Sequence, residues 1–281
     1  MIINILEPKV FANADWSILG DVQFCEKNCE VLATGLYPIS DDSLKRHPNV
    51  KYILSTTTGM DHISVKDKNV HIISLNPSEV ENISASAEFT MLLILSILRR
   101  IDIGLLFSSR KGMESGEDIC GKTIGILGYG RIGQKIAKWV KSMEGNVVFH
   151  DKTCGVSKEE LLKQSDIVLL SIACVPENKH YMTIREFDMM KPNSYFINIS
   201  RGFLVNEPDL INAIESGKIK GAALDVVDNE SLMRNYSYRS GKVIITPHMA
   251  GYTVQSQKKA CDYVIKKLSE TINNEKNSSC N

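Results

Sequence analysis

The sequence predicts an α/β protein of two domains built on parallel sheets, and three observations carry that prediction. Short apolar runs of strand length alternate with stretches of helical spacing along the chain, as in consecutive βαβ units. At Thr123–Val140 a strand, a glycine-rich turn and an amphipathic helix follow one another directly. The 281 residues suffice for about two domains, and 43% hydrophobic with 23% charged residues is an ordinary globular composition.

In the first hundred residues, Ile2–Leu6, Val31–Thr34, Tyr52–Ser55 and Val70–Ser74 read as strands of a small parallel sheet. A very apolar helix is expected over Ser84–Arg100, and its density suggests burial between domains or subunits rather than one wet face. Its apolar run, Phe89–Leu98, is too short to span a bilayer. Arg110–Ile119, with Lys111-Gly112 and Ser115-Gly116, reads as a linker. A second series then places strands at Thr123–Leu127, Val147–His150, Ile167–Ile172, Tyr195–Ile199, Ala222–Val226 and Val243–Thr246, six strands that suit a doubly wound sheet. Ala260, Val264, Leu268 and Ile272 give Ser256–Asn273 helical spacing, and this helix is expected to return to the first domain; the polar residues 273–281 are expected to fray. The domains are therefore expected to be 1–98 with 254–281, and 99–253.

Charge and cysteine content exclude several classes. Lys+Arg and Asp+Glu both number 33, so no global field draws in nucleic acid or an anionic membrane. Met1–Leu6 is too short for a signal-peptide core and is stopped by Glu7-Pro8, which makes the cytoplasm the expected address. The cysteines at 25, 29, 120, 154, 174, 261 and 280 are odd in number and scattered, which argues against a disulfide framework. Only Cys25 and Cys29 are close, and nothing completes a zinc site around them, so no metal is expected.

The glycine turn is Gly128-Tyr-Gly-Arg-Ile-Gly133. A lone turn of this pattern is weak evidence, but here Thr123–Leu127 leads into it and the stripe Ile132, Ile136, Ala137, Val140 leads out. The three glycines permit a tight turn, close approach of a pyrophosphate and close helix packing, and the helix N-terminus favours negative charge. Asp151 closes the next strand eighteen positions past Gly133, where a carboxylate accepts from ribose hydroxyls and repels a 2′-phosphate. The cofactor read from these residues is NAD rather than NADP, although Lys152 could partner a phosphate.

Three polar residues follow successive strands of the same unit: Arg201, Glu230 and His248. Ligands of open α/β sheets bind beyond the carboxyl ends of the strands, so a cation, a carboxylate and an imidazole would gather beside a nicotinamide. The planar fork of Arg201 suits a substrate carboxylate. The histidines at 47, 62, 71, 150 and 180 have weaker contexts.

With this spacing the chain resembles the D-isomer-specific 2-hydroxyacid dehydrogenases, especially the glycerate/hydroxypyruvate reductase and phosphoglycerate dehydrogenase branches. The resemblance runs through Thr58-Gly-Met-Asp-His62, Asn76, Ala85-Ser-Ala-Glu88, Gly121–Gly133, Pro176-Glu-Asn-Lys-His180, Met190-Lys-Pro-Asn193, the Arg201 segment, Gly217–Asp225 and the His248 segment. It implies a Rossmann cofactor domain beside a smaller flavodoxin-like substrate domain, and D-specific hydride transfer to or from a small 2-keto/2-hydroxy acid such as glyoxylate, hydroxypyruvate or glycerate. In it Arg201 holds the carboxylate and polarises the carbonyl, His248 moves the proton, and Glu230 pairs with and orients His248. Asp225 meets the nicotinamide carboxamide; Arg131, Ile132, Ile172, Asn178 and Ile199 line the cofactor; and backbone amides around Thr58-Gly59 bind the carboxylate from the other domain, so that catalysis needs closure. A homodimer through the cofactor domain is implied as well, and serine-type feedback control is not expected.

Departures from the pattern are local. Ser171 and Ala173 stand where a His-x-Pro turn is usual, and Ser231 follows Glu230 where proline is frequent, so the loop before His248 is atypical. Two other readings share the scaffold: a dinucleotide-sensing protein like the C-terminal-binding corepressors, and a phosphite-type dehydrogenase. A formate-type enzyme lacks the Glu–His pair.

Overall fold

The computed structural model describes residues 1–76, 79, 84–101 and 115–278, with side chains except at 237–240. The chain forms two compact units, Met1–Ile83 with Tyr252–Asn281, and Ser84–Gly251.

In the first unit β1 (Ile2–Ile5), β2 (Gln23–Phe24), β3 (Val31–Thr34), β5 (Tyr52–Ser55) and β7 (His71–Ile73) form a parallel sheet in the order β2-β1-β3-β5-β7. The two-residue strands β4 (Ile39–Ser40) and β6 (Ile63–Ser64) pair separately, with helix α1 (Asp41–Arg46) between them in sequence. β3 and β5 are buried at every position because both sheet faces are covered. The last helix, Val254–Ser278, lays Ala260, Val264, Ile265 and Leu268 on Ile3, Val31, Ala33 and Leu54. Leu32 and Ile53 point the other way, toward Cys29, Ile39 and Val50. The last helix runs to Ser278, past the expected fraying at Asn273. Glu275 ties this end to the first sheet by accepting from the Tyr52 hydroxyl at 2.5 Å, a contact the polar sequence does not announce. β2, β4 and β6 escape the sequence pattern because two residues carry no period.

In the second unit β8 (Thr123–Leu127), β9 (Asn146–His150), β10 (Ile167–Leu170), β11 (Ser194–Asn198), β12 (Ile219–Leu224) and β13 (Val243–Ile245) are all parallel, in the order β13-β12-β11-β10-β8-β9. The sheet grows one way from β8 to β9 and the other way from β8 to β10, so the direction reverses at the end of β8. Helices α2 (Ala85–Leu98) and α3 (Arg131–Ser142) cover one face, with Leu93, Ile94, Ile97, Ile136 and Val140 against Ile124, Ile126, Leu169 and Ile197. Helices α4 (Lys158–Gln164), α5 (Ile184–Met189), α6 (Glu207–Glu215) and α7 (Glu230–Ser240) cover the other, with Leu161, Phe187, Leu210 and Met233 in one cluster with Val168, Leu170 and Phe196.

Two elements differ from expectation. The apolar helix α2 lies on the second sheet, which moves the division from after residue 98 to Ile83/Ser84. Its composition declares burial but cannot say against which sheet. Half of the expected linker, 110–114, lies outside the described residues; in the other half Glu117 N donates to Leu98 O at 2.8 Å. The stretch after Asp225 forms an 11-residue helix, α7, where only an irregular loop was expected. Asn229 caps it, its Oδ1 accepting from Leu232 N at 2.9 Å, and Met233 and Tyr236 are buried. Among the described residues no helix is long and apolar enough to cross a membrane.

Beside the amino end of β8, Glu117 accepts from Lys122 at 2.5 Å, Lys220 at 2.8 Å and the Tyr195 hydroxyl at 3.1 Å. Burial pushes this carboxyl up, but the hydrogen bonds from Lys122 and Lys220 outweigh it and hold the group at about 2. A carboxyl depressed on folding adds stability above its unfolded value and loses it as pH falls toward its folded one. Glu117→Gln should therefore cost about 1–3 kcal/mol at neutral pH. In urea unfolding, its deficit against the parent should be complete above pH 4.5 and shrink toward pH 2.

Candidate active site

The glycine turn sits where the second sheet reverses direction. Gly128 has φ +96°, and a Cβ on it would lie 2.4 Å from Ser171 O, so only glycine lets the turn meet the loop after β10. A Cβ on Gly133 would lie 2.5 Å from Gly128 O, which fixes how closely α3 packs. A Cβ on Gly130 would meet nothing within 4 Å, so the turn is open on that side. Gly130 is also the N-cap of α3 and gives it no side-chain cap. The positive end of the helix is thus left for a ligand, with Arg131 and Ile132 in its first turn.

Asp151 follows β9 and is tied to this turn. Its Oδ2 accepts from Tyr129 N at 2.6 Å and its Oδ1 from Lys152 N at 2.7 Å, while the Tyr129 ring stacks on Phe149 at 3.7 Å. Ile172 and Ile199 follow β10 and β11 and pack against opposite cores. Asn178 ends the short turn Pro176–Asn178 and donates from Nδ2 to Ala173 O at 2.9 Å.

Arg201, Asp225 and His248 stand at the carboxyl ends of three adjacent strands, β11, β12 and β13. Neighbouring strands lie about 4.8 Å apart, which puts the Arg201 and His248 segments about 10 Å apart along the edge. Each is held by a buried polar side chain. Asn198, 1% exposed, accepts from Ser200 N at 3.0 Å and donates to Arg201 O at 2.9 Å. Asp225, also 1% exposed, accepts from Thr246 Oγ1 at 2.6 Å, Met249 N at 2.9 Å and Ala250 N at 2.9 Å. Its carbonyl accepts from His248 N at 2.8 Å. His248 itself has φ 51°, a left-handed conformation uncommon outside glycine, and these bonds on both sides hold it there.

Glu230 opens α7 on the same edge, but its carboxylate receives Arg234 Nε at 2.5 Å rather than the His248 ring. Its side chain is 62% exposed. In the other unit Thr58 and Gly59 follow β5, where Thr57 Oγ1 donates to Gly59 O at 2.8 Å. Among the described residues neither the Thr58 nor the Gly59 amide donates to a protein acceptor. Sequence reasoning missed Asn198, Thr246 and Glu207: Asn198 bonds the backbone of its own turn, Thr246 the carboxylate of Asp225, and Glu207 the backbone of Asp228 and Asn229. The visible signal was polarity at strand ends and in the first turn of a helix, which also marks ordinary caps.

Fold and glycine turn together define a dinucleotide-binding α/β protein. The family model for the NAD-binding domain of D-isomer specific 2-hydroxyacid dehydrogenases matches residues 91–250. A glyoxylate reductase of Thermococcus gammatolerans is 30% identical over 243 residues, 79% of this chain and 73% of that one. A D-3-phosphoglycerate dehydrogenase of Methanocaldococcus jannaschii is 30% identical over 254 residues, 84% of this chain and 48% of that one. The apo-structure of D-lactate dehydrogenase from Escherichia coli shares the fold with a TM-score of 0.84 at 21% identity, covering 98% of each chain. The chain belongs to the D-isomer specific 2-hydroxyacid dehydrogenase family, and its cofactor is NAD.

The residues present fit that cofactor. An uncapped helix start and an open glycine suit a pyrophosphate, and Asp151 keeps lone pairs for ribose hydroxyls beyond its two backbone partners. Asp151→Ala should weaken NADH binding, read by fluorescence titration, about tenfold more than NADPH binding. Equal losses for both would remove Asp151 from the ribose role.

Proposed function

We propose that this chain interconverts a small 2-keto acid and its D-2-hydroxy acid, with glyoxylate, hydroxypyruvate and glycerate as the favoured substrates. It would work as a cytoplasmic homodimer. The observation that carries the reading is the His248 turn: an imidazole held in a left-handed conformation by a buried carboxylate, on the same sheet edge as Arg201 and the glycine turn. The names of the glyoxylate and phosphoglycerate relatives support the substrate class.

Bound NADH supplies the hydride that adds to the carbonyl carbon; the chain supplies binding, polarisation and the proton. Arg201 takes the substrate carboxylate in a bidentate pair and draws electron density from the carbonyl. His248 donates its proton to the carbonyl oxygen on reduction and takes it back on oxidation. Glu230 orients the protonated imidazole by exchanging Arg234 for it when substrate binds. Asp225 keeps the His248 turn in place throughout and would meet the nicotinamide carboxamide. Ile172 and Ile199 give the nicotinamide apolar walls, and Arg131, Ile132 and Asn178 line the remainder of the cofactor.

The reading is tested by NADH oxidation against glyoxylate, hydroxypyruvate, pyruvate and phenylpyruvate. Turnover is expected on at least one acid, strongest on the first two. His248→Asn should lower kcat by about 10²–10⁴-fold. Arg201→Lys should raise KM and lower kcat, because an ammonium cannot reproduce the fork. NADH binding without turnover on any acid would sink the enzyme reading and favour a dinucleotide sensor.

A further inference from the structure

Among the described residues only two carboxylates are buried, Asp225 and Glu207. The first holds the His248 turn. Glu207 has no part in the chemistry above, yet it is only 5% exposed, at the first position of α6. A carboxylate there gains from the helix's own N-terminus, but both of its oxygens are spent elsewhere. Oε1 accepts from Asp228 N at 2.6 Å and Oε2 from Asn229 N at 2.9 Å, 21 and 22 residues further on. Burial pushes this carboxyl above its ordinary value, the two N–H bonds pull it down, and the charges of Asp228 and Glu230 push it up again. An acid in this place is an electrostatic liability unless the bonds it makes are needed.

What those bonds hold is the segment that launches α7. Asn229 is its cap, with Oδ1 accepting from Leu232 N at 2.9 Å and its carbonyl from Met233 N at 3.0 Å; Glu230 is the first helical residue. The same segment is pressed from the other side by Gly202, the neighbour of Arg201. A Cβ on Gly202 would lie 2.2 Å from both Asp228 N and Val227 C. Residues 227–229 are therefore gripped between the glycine of the Arg201 turn and the carboxylate of Glu207, both on the single connection from β11 to α6.

We propose that Glu207 is a positioning residue for the reaction: its buried carboxylate clamps Asp228 and Asn229 onto the Arg201 turn and so sets the point from which Glu230 acts. The proposal rests on the role given to Glu230 in the preceding subsection. Two N–H groups on two separate oxygens is a demand that glutamine cannot meet, because its amide nitrogen would face one of the donors.

Glu207→Gln is thus the test, since it keeps size and shape. Three results are expected. The Asp228 and Asn229 amides should exchange with deuterium at least about tenfold faster, with β11 unchanged. Turnover should fall on the order of tenfold to a hundredfold, with NADH affinity unchanged. The double variant Glu207→Gln/Glu230→Gln should lose no more turnover than Glu230→Gln alone, because both act through one group. Unchanged exchange at 228 and 229, or losses that multiply in the double variant, would overturn the clamp. Wild-type turnover in Glu230→Gln would instead refute the role of Glu230 and the positioning role with it, and the exchange data keep that outcome distinct from failure of the clamp. Should Glu207→Gln not fold, Glu207→Asp carries the same comparisons, since a side chain one methylene shorter cannot reach both amides.

Discussion

The carboxylate of Asp225 accepts three hydrogen bonds from the turn after β13 while almost wholly removed from water. An unpartnered carboxylate in that place would cost several kcal/mol, on the order of the largest single-residue effects. The turn therefore has one satisfactory arrangement around it, and in that arrangement His248 takes a backbone conformation it would not choose alone. Asn198 does the same for the Arg201 turn at the end of the neighbouring strand. A functional edge made of loops thus gains the fixity of the sheet, because each loop is bonded to a side chain rooted at a strand end or in the first turn of a helix.

The sheet's change of direction at β8 supplies the other half of the arrangement. Strands that run outward on both sides leave the turn after β8 uncovered, and Gly128 brings it against the loop after β10 without a side chain in the way. Asp151 binds Tyr129 N, so the carboxylate suited to ribose is registered on the turn suited to pyrophosphate. Position along the edge then orders the chemistry: cofactor turn at β8, guanidinium at β11, imidazole at β13.

Much of this was legible in the sequence. The four inner strands of the second unit could be read because they are buried on both faces and so appear as continuous apolar runs, and the half-buried edge strands β9 and β13 as shorter ones. Arg201, His248 and the glycines could be read because their positions follow from strand ends. The placement of α2 could not, since an apolar helix fits either sheet equally well in composition. Nor could α7, whose apolar contribution is little more than Met233 and Tyr236 within a polar stretch. The holding residues were the least visible. Asn198, Glu207 and Asp225 look like any cap or acidic loop until their partners, up to 25 residues distant, are known. The Glu230–Arg234 pair was likewise hidden, because an i, i+4 pair exists only once α7 does.

The dependence of the His248 turn on Asp225 is read by the steady-state kinetics of Asp225→Asn with NADH and glyoxylate or hydroxypyruvate. Asparagine keeps the shape but turns an NH₂ toward backbone donors of the His248 turn. Turnover should fall by about a hundredfold or more, with the fold intact by circular dichroism. Turnover within about threefold of the parent would show that the turn does not depend on this carboxylate.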